Sequence, residues 1–147
     1  MAGTATHLSR NSAAELLFAA QGSLREALHA SFPHDRYAAA HLAALRTAAA
    51  VLADRARVTP GARRHRIRSV WEIVPQIAPE FTEWAEFFAA GARKRASAEA
   101  GIPCVTTREA DDLMRDAERF LTQVAGTLGL LEQSVIPVGT ARLQRVG

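Results

Sequence analysis

From Thr107 to Gln133 apolar side chains return every three or four residues: Ala110, Leu113, Met114, Ala117, Leu121, Val124, Leu128 and Leu131. At 3.6 residues per turn this spacing lines one face of an α-helix. Such a stripe is stable only when another element covers it. The rest of the chain offers covers of the same kind. Ser12-Ala-Ala-Glu15 has the form of a capping box, in which the serine oxygen and the glutamate satisfy free amides at a helix start. Leu17, Ala20, Leu24, Ala27 and Leu28 follow at helical spacing, with Gly22 and a second cap at Ser23 marking a candidate kink. This helix is expected to end near Ala30.

A second helix is expected from His34 or Asp35 to about Arg57, with Ala38, His41, Leu42, Leu45, Ala48, Ala49 and Leu52 inward; Thr59-Pro60-Gly61 stops it. Ser69-Val-Trp-Glu72 reads as another capping box. It opens a stripe of Val70, Ile73, Val74, Ile77, Phe81, Trp84 and Phe88. Pro75 and Pro79 interrupt that stripe, so it reads as a short helix over 69–77, a restart at Pro79, and a longer piece ending near Gly101. Nearly half the residues are hydrophobic, many of them alanine, the best helix former. The expected fold is all-α: an antiparallel up-and-down four-helix bundle with one extra short helix near 69–77. The expected organisation is a flexible N-terminus over 1–11, a single bundle over 12–133, and a loosely ordered tail over 134–147.

Charge is distributed unevenly. Six arginines (Arg55, Arg57, Arg63, Arg64, Arg66, Arg68) and His65 fall between Asp54 and Glu72 with no acid among them. Arginines clustered beside helices suit phosphate contact, with salt-dependent and largely sequence-independent affinity. A solvated surface, or ion pairing with the acid-rich last helix (Glu109, Asp111, Asp112, Asp116, Glu118), would use the same residues. Arg93-Lys94-Arg95 reads as a basic helix C-terminus, where cations are favourable. Of the eighteen basic residues, Lys94 is the only lysine, a bias suggesting a high-GC bacterial genome.

Arg36 and His41 form a second candidate site. Histidine transfers protons near neutral pH, and arginine stabilises developing phosphorane charge. Together they could cleave RNA without metal, using the 2′-hydroxyl. Five helical residues set them about 140° apart, however, and His41 also falls on the apolar stripe, where a packed histidine is the plainer reading. Trp71 and Trp84 could stack bases, but their stripe positions favour packing.

Cys104, the single cysteine, excludes an internal disulfide and a cysteine-based zinc cluster. No phosphate loop, H-E-x-x-H or G-x-S-x-G is present, and no metal or cofactor is expected. The start, MAGTATHLSRN, lacks a signal peptide's apolar core, and no stretch reaches membrane-spanning length, so a cytoplasmic protein is expected.

The run Arg36-Tyr-Ala-Ala-Ala-His-Leu-Ala-Ala-Leu-Arg46 resembles a core helix of HEPN domains. Ala62–Glu72, Glu83–Phe88 and Gly91–Arg95 resemble a small HEPN-like family of actinobacteria, over about Ala13 to Gln133. The resemblance implies an up-down helical bundle, often a homodimer. Many HEPN domains are metal-independent RNases with an Arg-x4-6-His motif, while others are non-catalytic binding modules. Arg36 and His41 match that spacing, though Tyr37 stands where a polar residue is usual and the match lies early in the chain. The leading expectation is a non-catalytic domain that binds nucleic acid, a nucleotide or a partner protein through the Arg55–Arg68 surface. The alternatives are an RNase of a toxin or defence type, with His41 as acid or base and Arg36 on the phosphorane, and a pure interaction or dimerisation module docking through Trp71, Trp84 or the end of the last helix.

Overall fold

The computed structural model describes residues 2–55 and 69–130, with side chains from Ser12 onward. Every regular element among them is helical. The α-helices are α1 (Ala2–His29), α2 (Pro33–Arg55), α3 (Val70–Ile77), α4 (Thr82–Ala90), α5 (Ala92–Glu99) and α6 (Thr107–Leu128); a 3₁₀ turn, Pro79–Phe81, precedes α4. α2 is central, packing along α1 on one side and α6 on another, with α3 and α5 closing further faces.

The start of α1 departs from expectation. The helix begins at Ala2, so Ser12 and Glu15 lie inside it and cap nothing. It also runs unbroken through Gly22. Ser23 is buried; its Oγ donates to the Ala19 carbonyl one turn back and accepts from Arg46 Nη1 at 2.7 Å. Leu17, Ala20 and Ala27 face the core as expected, but Leu28 is 59% exposed.

α2 differs more. Its buried side chains include Ala40, Ala43, Ala44, Thr47, Ala48, Ala50 and Val51, whereas Leu42, Leu45 and Leu52 are half-buried. Alanine allows close backbone approach, so the small residues mark the tightest contacts and the leucines fill their margins. Thr47 is buried with its hydroxyl donated to the Ala43 carbonyl. The expected end at Arg57 lies outside the described residues.

The expected long helix before Gly101 is divided. Ser69 caps α3 by accepting from the Trp71 N–H, one residue earlier than a capping box uses. The helix stops at Ala78, the 3₁₀ turn starts at Pro79, and Gly91 separates α4 from α5. Gly101, at φ +85°, ends α5 in left-handed backbone that a side chain resists. Its N–H bonds the Ala98 carbonyl and that of Ile102 the Ser97 carbonyl, closing the last turn.

α6 is the best-marked helix. A true capping box opens it: Thr106 Oγ1 accepts from the Glu109 N–H, and the Glu109 carboxylate accepts from the Thr106 N–H. It ends at Leu128, five residues before the expected Gln133, because Gly129 turns left-handed and Leu130 N–H bonds the Ala125 carbonyl. Ala110, Leu113, Ala117, Leu121, Val124 and Leu128 are buried as expected, with Phe120 and Ala125 added, while Met114 is half-buried and Leu131 lies outside the described residues. Phe120 joins Trp71, Phe81, Trp84 and Phe88 in an aromatic cluster that ties α3 and α4 to α6.

Candidate functional site

The two residues of the Arg-x4-His pair leave α2 in different directions, and each one caps the end of another helix. The last carbonyls of a helix have no intrahelical donor. Arg36 supplies donors to the end of α1: Nε to the Ala27 carbonyl at 2.9 Å, and Nη2 to those of Ala30 (3.3 Å) and Leu28 (3.4 Å). A cation there also faces the negative end of the helix dipole. The remaining nitrogen, Nη1, binds Asp111 of α6 at 2.6 Å. One guanidinium thus joins α1, α2 and α6.

His41 does the corresponding work for α4. Its Nε2 lies 2.9 Å from the Phe88 carbonyl, which can only accept, so Nε2 carries the proton. The ring is 1% exposed and stands edge-on to Trp71 and Phe88. Nδ1 is buried and has no hydrogen-bond partner among the described residues. Burial pushes the imidazole pKa below its ordinary value, the Phe88 bond opposes this, and Arg95 adds to it. Protonation would place a second N–H, and a charge, where no described residue accepts them.

Gly91 lies directly beside this contact. A Cβ there would fall 2.8 Å from the Tyr37 hydroxyl. Tyr37 is buried, so the glycine makes room for it, and burial raises the phenol's pKa. Tyr37, His41, Phe88 and Gly91 therefore form one packed joint between α2 and the α4–α5 break. The sequence names all four of these residues but carries no signal that they meet.

Of the basic run, Arg55 is placed at the end of α2, with two guanidinium nitrogens on the two carboxylate oxygens of Glu80. The pair raises the arginine pKa and lowers that of the glutamate. Arg57, Arg63, Arg64, Arg66 and Arg68 lie outside the described residues. Arg93–Arg95 sits in the first turns of α5, not near a C-terminus as expected. Cations there oppose the helix dipole, and partners offset this: Lys94 binds Glu109 and Arg95 binds Glu99. Lys94 and the capping amide of Thr106 hold the Glu109 pKa down at about 2. The Cys104 thiol faces the Lys94 carbonyl at 3.7 Å.

The acids of α6 are largely engaged. Glu109 binds Lys94 and Asp111 binds Arg36. Asp112 lies between Arg108 and Arg115, and Asp116 beside Arg119. Among the described residues no group of three His, Cys, Asp or Glu side chains could hold a metal ion, and no helix is long and apolar enough to cross a membrane.

Neither the curated proteins nor the solved structures give a match to this chain. The model of the SAV_6107-like HEPN family matches residues 27–125, from the last turn of α1 almost to the end of α6 and including the whole basic run. That is two thirds of the chain, and with the all-helical architecture it means that the chain belongs to this HEPN family.

Proposed function

We propose that this HEPN domain is a non-catalytic binding domain that engages nucleic-acid phosphates through Arg57, Arg63, Arg64, Arg66 and Arg68. What carries this reading is the use of the motif pair as helix caps. A general base needs access to the 2′-hydroxyl, and His41 is buried with its Nε2–H donated to the Phe88 carbonyl. A phosphorane clamp needs free donors, and Arg36 commits its nitrogens to three carbonyls and Asp111. Catalysis would require both to leave the contacts that tie α1, α4 and α6 to α2.

The ion pairs support the second half. Four acids of α6 that could have neutralised the basic run already face Lys94, Arg36, Arg108, Arg115 or Arg119. Of the five acids named on α6, that leaves Glu118 as the one without an ion pair to a described residue, so few α6 carboxylates remain to compete with a phosphate ligand for the arginines after Arg55, while Arg55 anchors the base of the run on Glu80. In this reading the domain works in the cytoplasm as a homodimer, and α4 with α5 stands for the third helix of an up-and-down bundle.

The test is binding of labelled single-stranded RNA in EDTA across a salt series. Wild type is compared with a variant carrying alanine at Arg63, Arg64, Arg66 and Arg68. Neutralising several phosphates should weaken wild-type binding by about 10²-fold or more between about 50 and 200 mM salt, and the variant should lose the steep slope. A flat salt response, or unchanged binding by the variant, overturns the reading; RNA cleavage lost in His41→Ala overturns its non-catalytic half.

A further inference from the structure

We propose that the aromatic groove between α4 and α6 docks an arginine-bearing peptide segment of a partner protein. This inference stands apart from the phosphate-binding reading and rests on other residues. Two open grooves of about 410 Å³ each meet at Trp84. Glu118, Arg119 and Gln123 wall one; Glu83, Phe87 and Asp116 wall the other.

The aromatic wall is held in place. Trp84 Nε1 donates to Gln123 Oε1 at 2.6 Å. Its ring stacks on buried Phe88, with centroids 5.7 Å apart and planes 16° from parallel. Phe87 stands edge-on to Trp84 at 6.3 Å and is 46% exposed. A large apolar ring left in water beside a half-buried indole is a shelf that a partner could cover.

The charge around this shelf selects the partner. Glu109, Asp111 and Asp112 each face a cation, but Glu83 and Glu118 form no ion pair with any described residue. Among the described residues Asp116 has only Arg119, at 4.0 Å. Three carboxylates thus stand against one guanidinium, a balance that repels phosphate and attracts a cation. Of the biological cations, guanidinium fits best. It is planar, weakly hydrated, stacks on indole, and offers a fork of donors to carboxylates. Its three-methylene stem can lie along Phe87. In an extended peptide, residues two apart point to one side about 7 Å from each other, so two arginines spaced by one residue can enter the two grooves on either side of Trp84.

The experiment follows the Trp84 indole N–H cross-peak of the ¹⁵N-labelled full chain, assigned with Trp84→Phe. The probe is acetyl-Gly-Arg-Gly-Arg-Gly-amide, titrated to millimolar concentration. A saturating shift is expected, with affinity at least about fivefold weaker for the lysine analogue, because lysine can neither stack nor fork. Glu83→Gln combined with Glu118→Gln changes only exposed residues and should keep the fold while weakening the arginine peptide by a similar factor. No saturable shift, equal affinity for the lysine analogue, or unchanged affinity in the double variant overturns the proposal. A peptide of residues 57–68 that binds tighter than the probe also overturns it, because the occupant would then be this chain's own basic segment.

Discussion

α2 and α6 are neighbours of nearly equal length, 23 and 22 residues, yet they are held in opposite ways. α2 is enclosed by α1, α3, α5 and α6, and no residue from Arg36 to Arg55 is fully exposed. Its lining is mostly alanine, and its polar groups turn inward to cap other helices. α6 buries one broad stripe of larger side chains and carries its charges outward in ion pairs. Enclosure and one-sided burial make different demands on side-chain volume. The first needs small residues wherever backbones approach; the second needs large ones to fill the space beneath the helix.

The sharpest way to break this contrast is to shorten a large side chain of α6. Phe120 is fully buried and touches Trp71, Phe81, Trp84 and Phe88. Phe120→Ala should lower unfolding free energy by about 3–5 kcal/mol, measured by urea denaturation, because a cavity opens at the meeting point of three helices. The matching experiment on α2 enlarges a small residue. Ala44 is fully buried, and Ala44→Leu should cost about 1–3 kcal/mol by overpacking. A neutral or stabilising result would mean that α2 has room to spare and that alanine is there for helix propensity alone.

The same contrast explains what the sequence could and could not reveal. Periodicity reports one-sided burial, so most of the buried face of α6 is legible in the sequence, with Phe120 and Ala125 as the exceptions. α2 has no exposed side to alternate with; choosing the leucines as its inward face placed the stripe on residues that are half-buried. The all-α class is legible even so, because it rests on propensity and proline positions rather than on one face. The break at Gly91 is hidden in the sequence because its neighbours are distant in the chain: it sits where Tyr37 needs space and where the Phe88 carbonyl accepts a hydrogen bond from His41 Nε2. Spacing marks Arg36 and His41 as a pair, but spacing does not say what each side chain bonds. The roles of Arg36 and His41 as caps follow from the ends of α1 and α4, 9 and 47 residues away from them in sequence.

His41 offers the gentlest test of enclosure, because a change of pH alters one proton and no volume. Its folded pKa lies below the ordinary 6.5, chiefly through burial, so below pH 6.5 the unfolded chain binds a proton that the folded chain refuses. This contribution to stability is therefore complete at neutral pH. It falls as pH drops through the unfolded value and levels off only below the folded one. The slope from one such group cannot exceed about 1.4 kcal/mol per pH unit. Urea midpoints measured between about pH 7.5 and pH 5 should fall with acid in the wild type. In His41→Gln the amide can keep a donor for the Phe88 carbonyl but does not titrate, so the fall should be smaller by the histidine's share. Parallel curves for the two proteins would mean that His41 accepts its proton in the fold, and that α2 is more open at this joint than its buried side chains imply.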